Sequence, residues 1–111
     1  MNKRTDNRGV AQRFAQREEA TNSNGQYFST GDVLYSYGRH WPIAAWIMND
    51  ATGRIQLHIN NAKYGTTTSK QTSYMVSGMV KEGRADYLTE AVKHDSVESI
   101  KAAMKKAGLG G

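Results

Sequence analysis

WPIAAWIMNDATGRIQLHI, residues 41–59, decides the fold. The run from Trp41 to Met48 is the most apolar in the chain and reads as the central strand of a sheet. Pro42 has no backbone donor, so it belongs at the start of that strand, at an edge or at a bulge. Asn49-Asp50-Ala51-Thr52-Gly53 has the composition of a hairpin turn. Arg54 to Ile59 then alternates, with Ile55, Leu57 and Ile59 on an inward face and Arg54, Gln56 and His58 on an outward one. Period two on both sides of a glycine-bearing turn predicts an antiparallel pair with one covered face.

Upstream, Gln26–Ser29 and Val33–Tyr37 read as two further strands around the tight turn Thr30-Gly31-Asp32. In the second of them Val33, Tyr35 and Tyr37 share a face opposite Leu34 and Ser36. Residues 9–20 place Val10, Ala11, Phe14 and Ala15 on one side, as a short amphipathic helix does, and Thr21-Asn22-Ser23-Asn24-Gly25 closes it. Arg4, Arg8, Arg13 and Arg17 fit either a solvated helix face or an arm contacting phosphates.

Downstream, Thr68-Ser69-Lys70-Gln71 has the form of a capping box, with Thr68 as N-cap and Gln71 at the third helical position. The helix it opens runs to about Glu82, buries Met75 and Met79, and stops at Gly83. Residues 84–94 read as a second helix around Leu88, Ala91 and Val92, ending on a solvated His94. Asp95 and Glu98 repeat the capping signature, so a third helix starts at Ser96, carrying Val97, Ile100, Ala103, Met104 and Ala107 inward and ending at Gly108. The expected architecture is α+β: a short N-terminal helix, a three- or four-stranded antiparallel sheet and two or three C-terminal helices. Residues 1–8 form a flexible N-terminus, residues 9–108 a single domain and residues 109–111 a tail. Ile43, Ile47, Ile55, Leu57, Met75, Leu88 and Ile100 are the expected core.

A chain of 111 residues can bury one modest core. With no cysteine it has no disulfide framework and no thiolate metal site. No run approaches the eighteen apolar residues of a membrane span, and MNKRTDNRGV contains no apolar leader segment, so a cytoplasmic protein without membrane contact is expected. The net charge is +5, and residues 51–81 hold Arg54, Lys63, Lys70 and Lys81 with no acidic residue. Such a balance favours polyanionic partners without specifying one.

Phosphate-binding loops, dinucleotide fingerprints, zinc-protease helices, calcium loops and zinc fingers are all absent from the sequence. The carboxylates fall singly, so neither a metal nor a cofactor is expected and no catalytic residue is assigned. Of the three histidines, His40, between Arg39 and Trp41 at a glycine-flexed strand entry, is the best placed for work. The strongest local signal is the polar run Asn60, Asn61, Lys63, Tyr64, Thr66, Thr67, Thr68, Ser69, Lys70 and Gln71. It leads into a helix, whose first N–H groups and positive dipole end favour anions, and hydroxyls and lysines beside them would add to that. The alternative is that the threonines are turn and cap residues only.

Tyr35-Ser36-Tyr37-Gly38-x-His40-x-Pro42-Ile43-Ala44, followed by Asn60 and by Tyr64-x-Thr66-Thr67 and Ser69-Lys70-Gln71, resembles the core of a group of small proteins and domains encoded by phages and mobile elements. The likeness spans about 40 residues. The group's motif carries a histidine directly before the glutamine, where this chain has Lys70, and Phe where it has Trp41. The resemblance implies a phage-type origin, hence a host-cell cytoplasm, and a role in host interaction or nucleic-acid processing.

Three readings follow. In the first, a non-enzymatic accessory protein binds DNA or RNA through residues 60–71 with outward Arg54 and His58, while Tyr64 or Tyr37 stacks on bases. In the second, Trp41, Trp46, Tyr35 and Tyr37 anchor an inhibitor or adaptor on a host protein complex. In the third, a small hydrolase or nuclease uses His40 as base and Lys70 as phosphate ligand.

Overall fold

Antiparallel pairing extends well beyond the central hairpin, through five consecutive strands. The computed structural model describes residues 4–23, 25–36, 41–62 and 66–109, the side chains of residues 66–69 excepted. Its elements are α1 (Asn7–Ala15), β1 (Glu19–Thr21), β2 (Tyr27–Thr30), β3 (Val33–Ser36), β4 (Trp41–Asn49), β5 (Arg54–Asn60), α2 (Thr66–Lys81), α3 (Ala85–Thr89), β6 (Val92–His94) and α4 (Val97–Lys106). Spatial order follows chain order from β1 to β6.

Three local expectations hold closely. Asn49 Oδ1 accepts the N–H groups of Ala51 and Thr52 and so closes the β4–β5 turn, which Gly53 completes at φ 70°. Pro42 stands near the start of β4, beside a bulge. Leu34 pairs with Ala44 but Tyr35 with Pro42, which leaves Ile43 as the extra residue. α4 starts one residue later than its capping signature implied, with Ser96 rather than Asp95 as the cap, its hydroxyl accepting from Ser99 N at 3.2 Å, and Gly108 leaves that helix at φ 80°.

The sheet is larger than expected, and it is mixed rather than purely antiparallel. Residues 19–21, read from the sequence as the last two residues of the first helix and the start of its closing turn, form strand β1 instead. Helix α1 stops at Ala15 because Arg17 adopts a left-handed φ of 60°, a conformation fastened by tertiary contacts. The Arg17 guanidinium lies 3.1 Å from Asp32 Oδ1, and Ser29 Oγ donates to Glu18 O at 2.9 Å. At the other edge, residues 92–94, expected to end a helix, form β6 and pair in parallel with β5. The intervening α2 and α3 supply the crossover that a parallel neighbour requires. α2 itself begins at Thr66, so Thr68 lies within its first turn and is not its N-cap.

Both faces of the sheet are covered, which corrects the expectation of one. α1 and α2 pack on the first, around Val10, Phe14, Leu34, Trp46, Leu57 and Met75. α4 packs on the second, where Ile100 and Met104 meet Val33, Tyr35, Ala45 and Ile47. A strand covered on both faces is apolar at successive positions, as β4 is. Of the expected core, Ile43, Ile47, Leu57, Met75 and Ile100 are buried, while Ile55 and Leu88 are partly buried. No helix among the described residues is long and apolar enough to cross a membrane.

Candidate functional site

Antiparallel order brings the end of β3, the start of β4 and the end of β5 to one end of the sheet, and α2 starts beside them. Side-chain hydrogen bonds tie these pieces together. The buried Ser36 hydroxyl donates to Gln71 Oε1, and the Tyr27 hydroxyl donates to the Gln71 carbonyl at 2.9 Å. Burial, with Tyr74 nearby as a smaller cause, pushes the Tyr27 hydroxyl far above its ordinary titration range, so it stays protonated and keeps its proton to donate. Asn60 Nδ2 donates to Pro42 O at 2.9 Å, while Asn60 Oδ1 accepts from Ala62 N at 2.9 Å. Asn60 and Gln71 therefore spend their polar atoms inside the protein and act as positioning residues. They tie the end of β3, the start of β4 and the end of β5 to one another and to α2.

The other sequence candidates divide. Lys70 is exposed on α2 near this end. Thr66, Thr67, Thr68 and Ser69 belong to the first turns of α2, with side chains outside the described set. Tyr37, Arg39, His40, Lys63 and Tyr64 lie outside the described residues. Arg54 is exposed at the opposite end of β5 from Asn60, about 20 Å away along the strand, so the structure does not bring it to this site. Trp41 is half-buried against the core. Tyr35 is only 1% exposed and stacks on Phe28, and Trp46 is 2% exposed, so neither offers a surface for a protein partner.

Two residues missing from the polar run join the same end. The Arg8 guanidinium lies 5.3 Å above the ring of Tyr74, one turn along α2 from Lys70. Both line a polar groove of about 410 Å³ with Thr5, Asn7, Asn22 and Ser23, and Asp6 also lines it. Arg13 and Arg17 are engaged elsewhere, 3.6 Å from Glu18 and 3.1 Å from Asp32 respectively. Three of the four arginines that one helical wheel could not separate thus take different partners. Asp32, Asp50 and Glu82 lie away from this end, at the start of β3, in the β4–β5 turn and just past α2. Asp6, at the N-cap of α1, and Asp95, after β6, are acidic residues nearer to it in the element order.

No family model, curated protein or solved structure matches this chain.

A second constellation lies on the α4 face. His58, expected to point outward into solvent, and His94, expected on a solvated helix end, instead meet each other. His58 Nδ1 is 2.8 Å from His94 Nε2, with the rings stacked at 5.1 Å between centroids. His94 Nδ1 is in turn 2.6 Å from Ser99 Oγ. His94 is buried because β6 sets it between β5 and the first turn of α4. The two histidines lie 36 positions apart, and no local periodicity connects them.

Both imidazoles are held below their ordinary titration range. Burial is the main cause for each; the neighbouring ring of His94 adds to it for His58, whereas Asp95 opposes it for His94. A histidine with a depressed folded value binds fewer protons in the folded state than in the unfolded one. Stability is therefore complete above the unfolded value of about 6.5 and declines as pH falls from there toward the folded values. We expect the urea midpoint to drop between about pH 7 and pH 5. His58→Gln should flatten that drop, and an unchanged pH slope in the variant would place the titration on other groups.

Proposed function

We propose that this is a small basic accessory protein that binds nucleic acid through phosphate contacts at the sheet end where α2 begins. The observation that carries the reading is Arg8 stacked over Tyr74 at the rim of a polar groove, one helical turn from exposed Lys70. Guanidinium and ammonium groups neutralise phosphates, and an aromatic ring beside them supports a base. Support also comes from the Ser36–Gln71 and Asn60–Pro42 hydrogen bonds, which tie the ends of β3, β4 and β5 to α2 at this same end. The chain from Val33 to Lys81 contributes one acidic residue, Asp50, in the turn at the far end of the sheet.

The test is a fluorescence-anisotropy titration against single- and double-stranded probes at several salt concentrations. Lys70→Ala and Arg8→Ala should weaken binding to all sequences, each lowering the salt slope of log K by roughly one unit. Tyr64→Ala should lose about 1–3 kcal/mol, mainly on single strands, with little change in that slope. A wild-type Kd weaker than about 10⁻⁴ M at physiological salt would overturn the reading. The protein-partner reading would then lead, resting on Val76 and Val80, which α2 exposes by 40% and 56% one turn apart.

A further inference from the structure

Ser99 occupies the first turn of α4, where it is exposed, and its hydroxyl oxygen sits 2.6 Å from a ring nitrogen of a buried histidine. That histidine is in turn hydrogen-bonded to a second one at 2.8 Å. We propose that Ser99 is a nucleophile, with His94 as its base and His58 as a positioning residue, acting on carboxylic esters that carry a short apolar acyl group.

The chemistry follows from the order of the atoms. When the Ser99 hydroxyl donates to His94 Nδ1, the proton of neutral His94 sits on Nε2 and is donated to His58 Nδ1. This holds the ring in the tautomer and orientation that a base on Ser99 needs. The resting state also has the right charge, since burial disfavours the imidazolium form of both rings at neutral pH. In the reaction, Ser99 Oγ bonds to the ester carbonyl carbon as its proton passes to His94 Nδ1. The tetrahedral adduct collapses, the bond from carbon to the alcohol oxygen breaks, and His94 returns the proton to the departing alcohol. A water molecule, deprotonated by His94, then attacks the acyl-serine; the proton returns to Ser99 Oγ, and the carboxylic acid leaves. Throughout, His58 Nδ1 accepts from His94 Nε2–H, a bond that strengthens when the imidazolium forms.

The acyl specificity comes from the same helix face. Ala103 is four residues beyond Ser99, and it lines a cavity of about 750 Å³ whose apolar side is Ala107, Leu109, Ile47 and Ile55 and whose polar side includes Arg17, Asp32, Asp50 and Lys106. His58 lines that cavity too. An acyl chain leaving Ser99 along α4 would therefore run over Ala103 onto apolar surface. This site lies across the sheet from the α1–α2 layer and is independent of nucleic-acid binding.

Two measurements on the intact protein test the proposal: hydrolysis of p-nitrophenyl butyrate, and labelling by a fluorophosphonate probe with the adduct located by peptide mass spectrometry. We expect the adduct on Ser99 and a loss of hydrolysis of at least about 100-fold in Ser99→Ala, which removes one exposed hydroxyl and should leave the melting curve in place. His94→Gln should slow labelling by a similar factor. His58→Gln should lower kcat more than it raises KM and shift the acidic limb of the kcat/KM profile, which a merely structural role would not do. If His94→Gln fails to fold, Ser99→Ala and the position of the adduct decide alone. No adduct on Ser99, labelling as fast in a folded His94→Gln as in wild type, or butyrate hydrolysis unchanged in Ser99→Ala would each overturn the proposal.

Discussion

Trp46→Ala should lose about 3–5 kcal/mol of folding stability, the largest effect expected of a single substitution in this chain. The indole is 2% exposed at the centre of β4 and fills the space between the sheet and its helices. Its ring meets Phe14 at 5.7 Å and Tyr87, edge-on, at 5.1 Å, which joins α1, β4 and α3. Its Nε1–H donates to Phe14 O at 2.9 Å, so truncation opens a cavity and also leaves a carbonyl near the end of α1 without that partner. Trp46→Phe should recover part of the packing and none of the hydrogen bond, and so fall between the two. Urea melts compare the three proteins. A loss below about 1 kcal/mol in Trp46→Ala would mean that the two layers do not close over this residue.

Gly78→Val should be the next most damaging change, at the upper end of the ~1–3 kcal/mol typical of overpacking. Gly78 sits within α2, where glycine is otherwise unfavourable, and the reason is the closeness of α1. A Cβ at this position would lie 2.9 Å from the carbonyl carbon of Ala11 and 3.0 Å from both Ala11 O and Gln12 N. These are backbone atoms of a neighbouring helix, so relief requires α1 to move away from the sheet. Even Gly78→Ala should destabilise, although alanine gains about 1 kcal/mol in intrinsic helix propensity. Val76, two positions earlier and exposed, shows that the helix itself accepts valine. An unchanged urea midpoint in Gly78→Val would show that the two helices do not touch at this point.

The helix α4 was legible, though its cap was read one residue early on Asp95, because its apolar stripe and its terminating glycine are local features. The β4–β5 hairpin was legible for the same reason, with Asn49 and Gly53 marking the turn and Ile55, Leu57 and Ile59 marking one face. Strands β1 and β6 were not. Each has three residues, too few for period two to stand out from a helical pattern, and each exists because a neighbouring strand offers it a hydrogen-bonding edge. Asn60 and Gln71 show the same limit at the candidate site. Their polarity suggested ligand contacts, but polarity does not distinguish a group turned to solvent from one buried with its own partners.

The sequence by itself determined the α+β class, the central hairpin, the span of α4 to within about a residue and the concentration of positive charge around residues 51–81, since these depend on spacings within one turn or one strand. Tertiary structure alone decided that β6 runs parallel to β5, that α4 covers a face read as solvated, that Arg8 lies over Tyr74, and that His58, His94 and Ser99 form one hydrogen-bonded chain. Those outcomes depend on which surfaces meet when segments 34 or more residues apart close on one another. Such closures are selected by the burial of apolar area over the whole chain, and no short window of sequence records that sum.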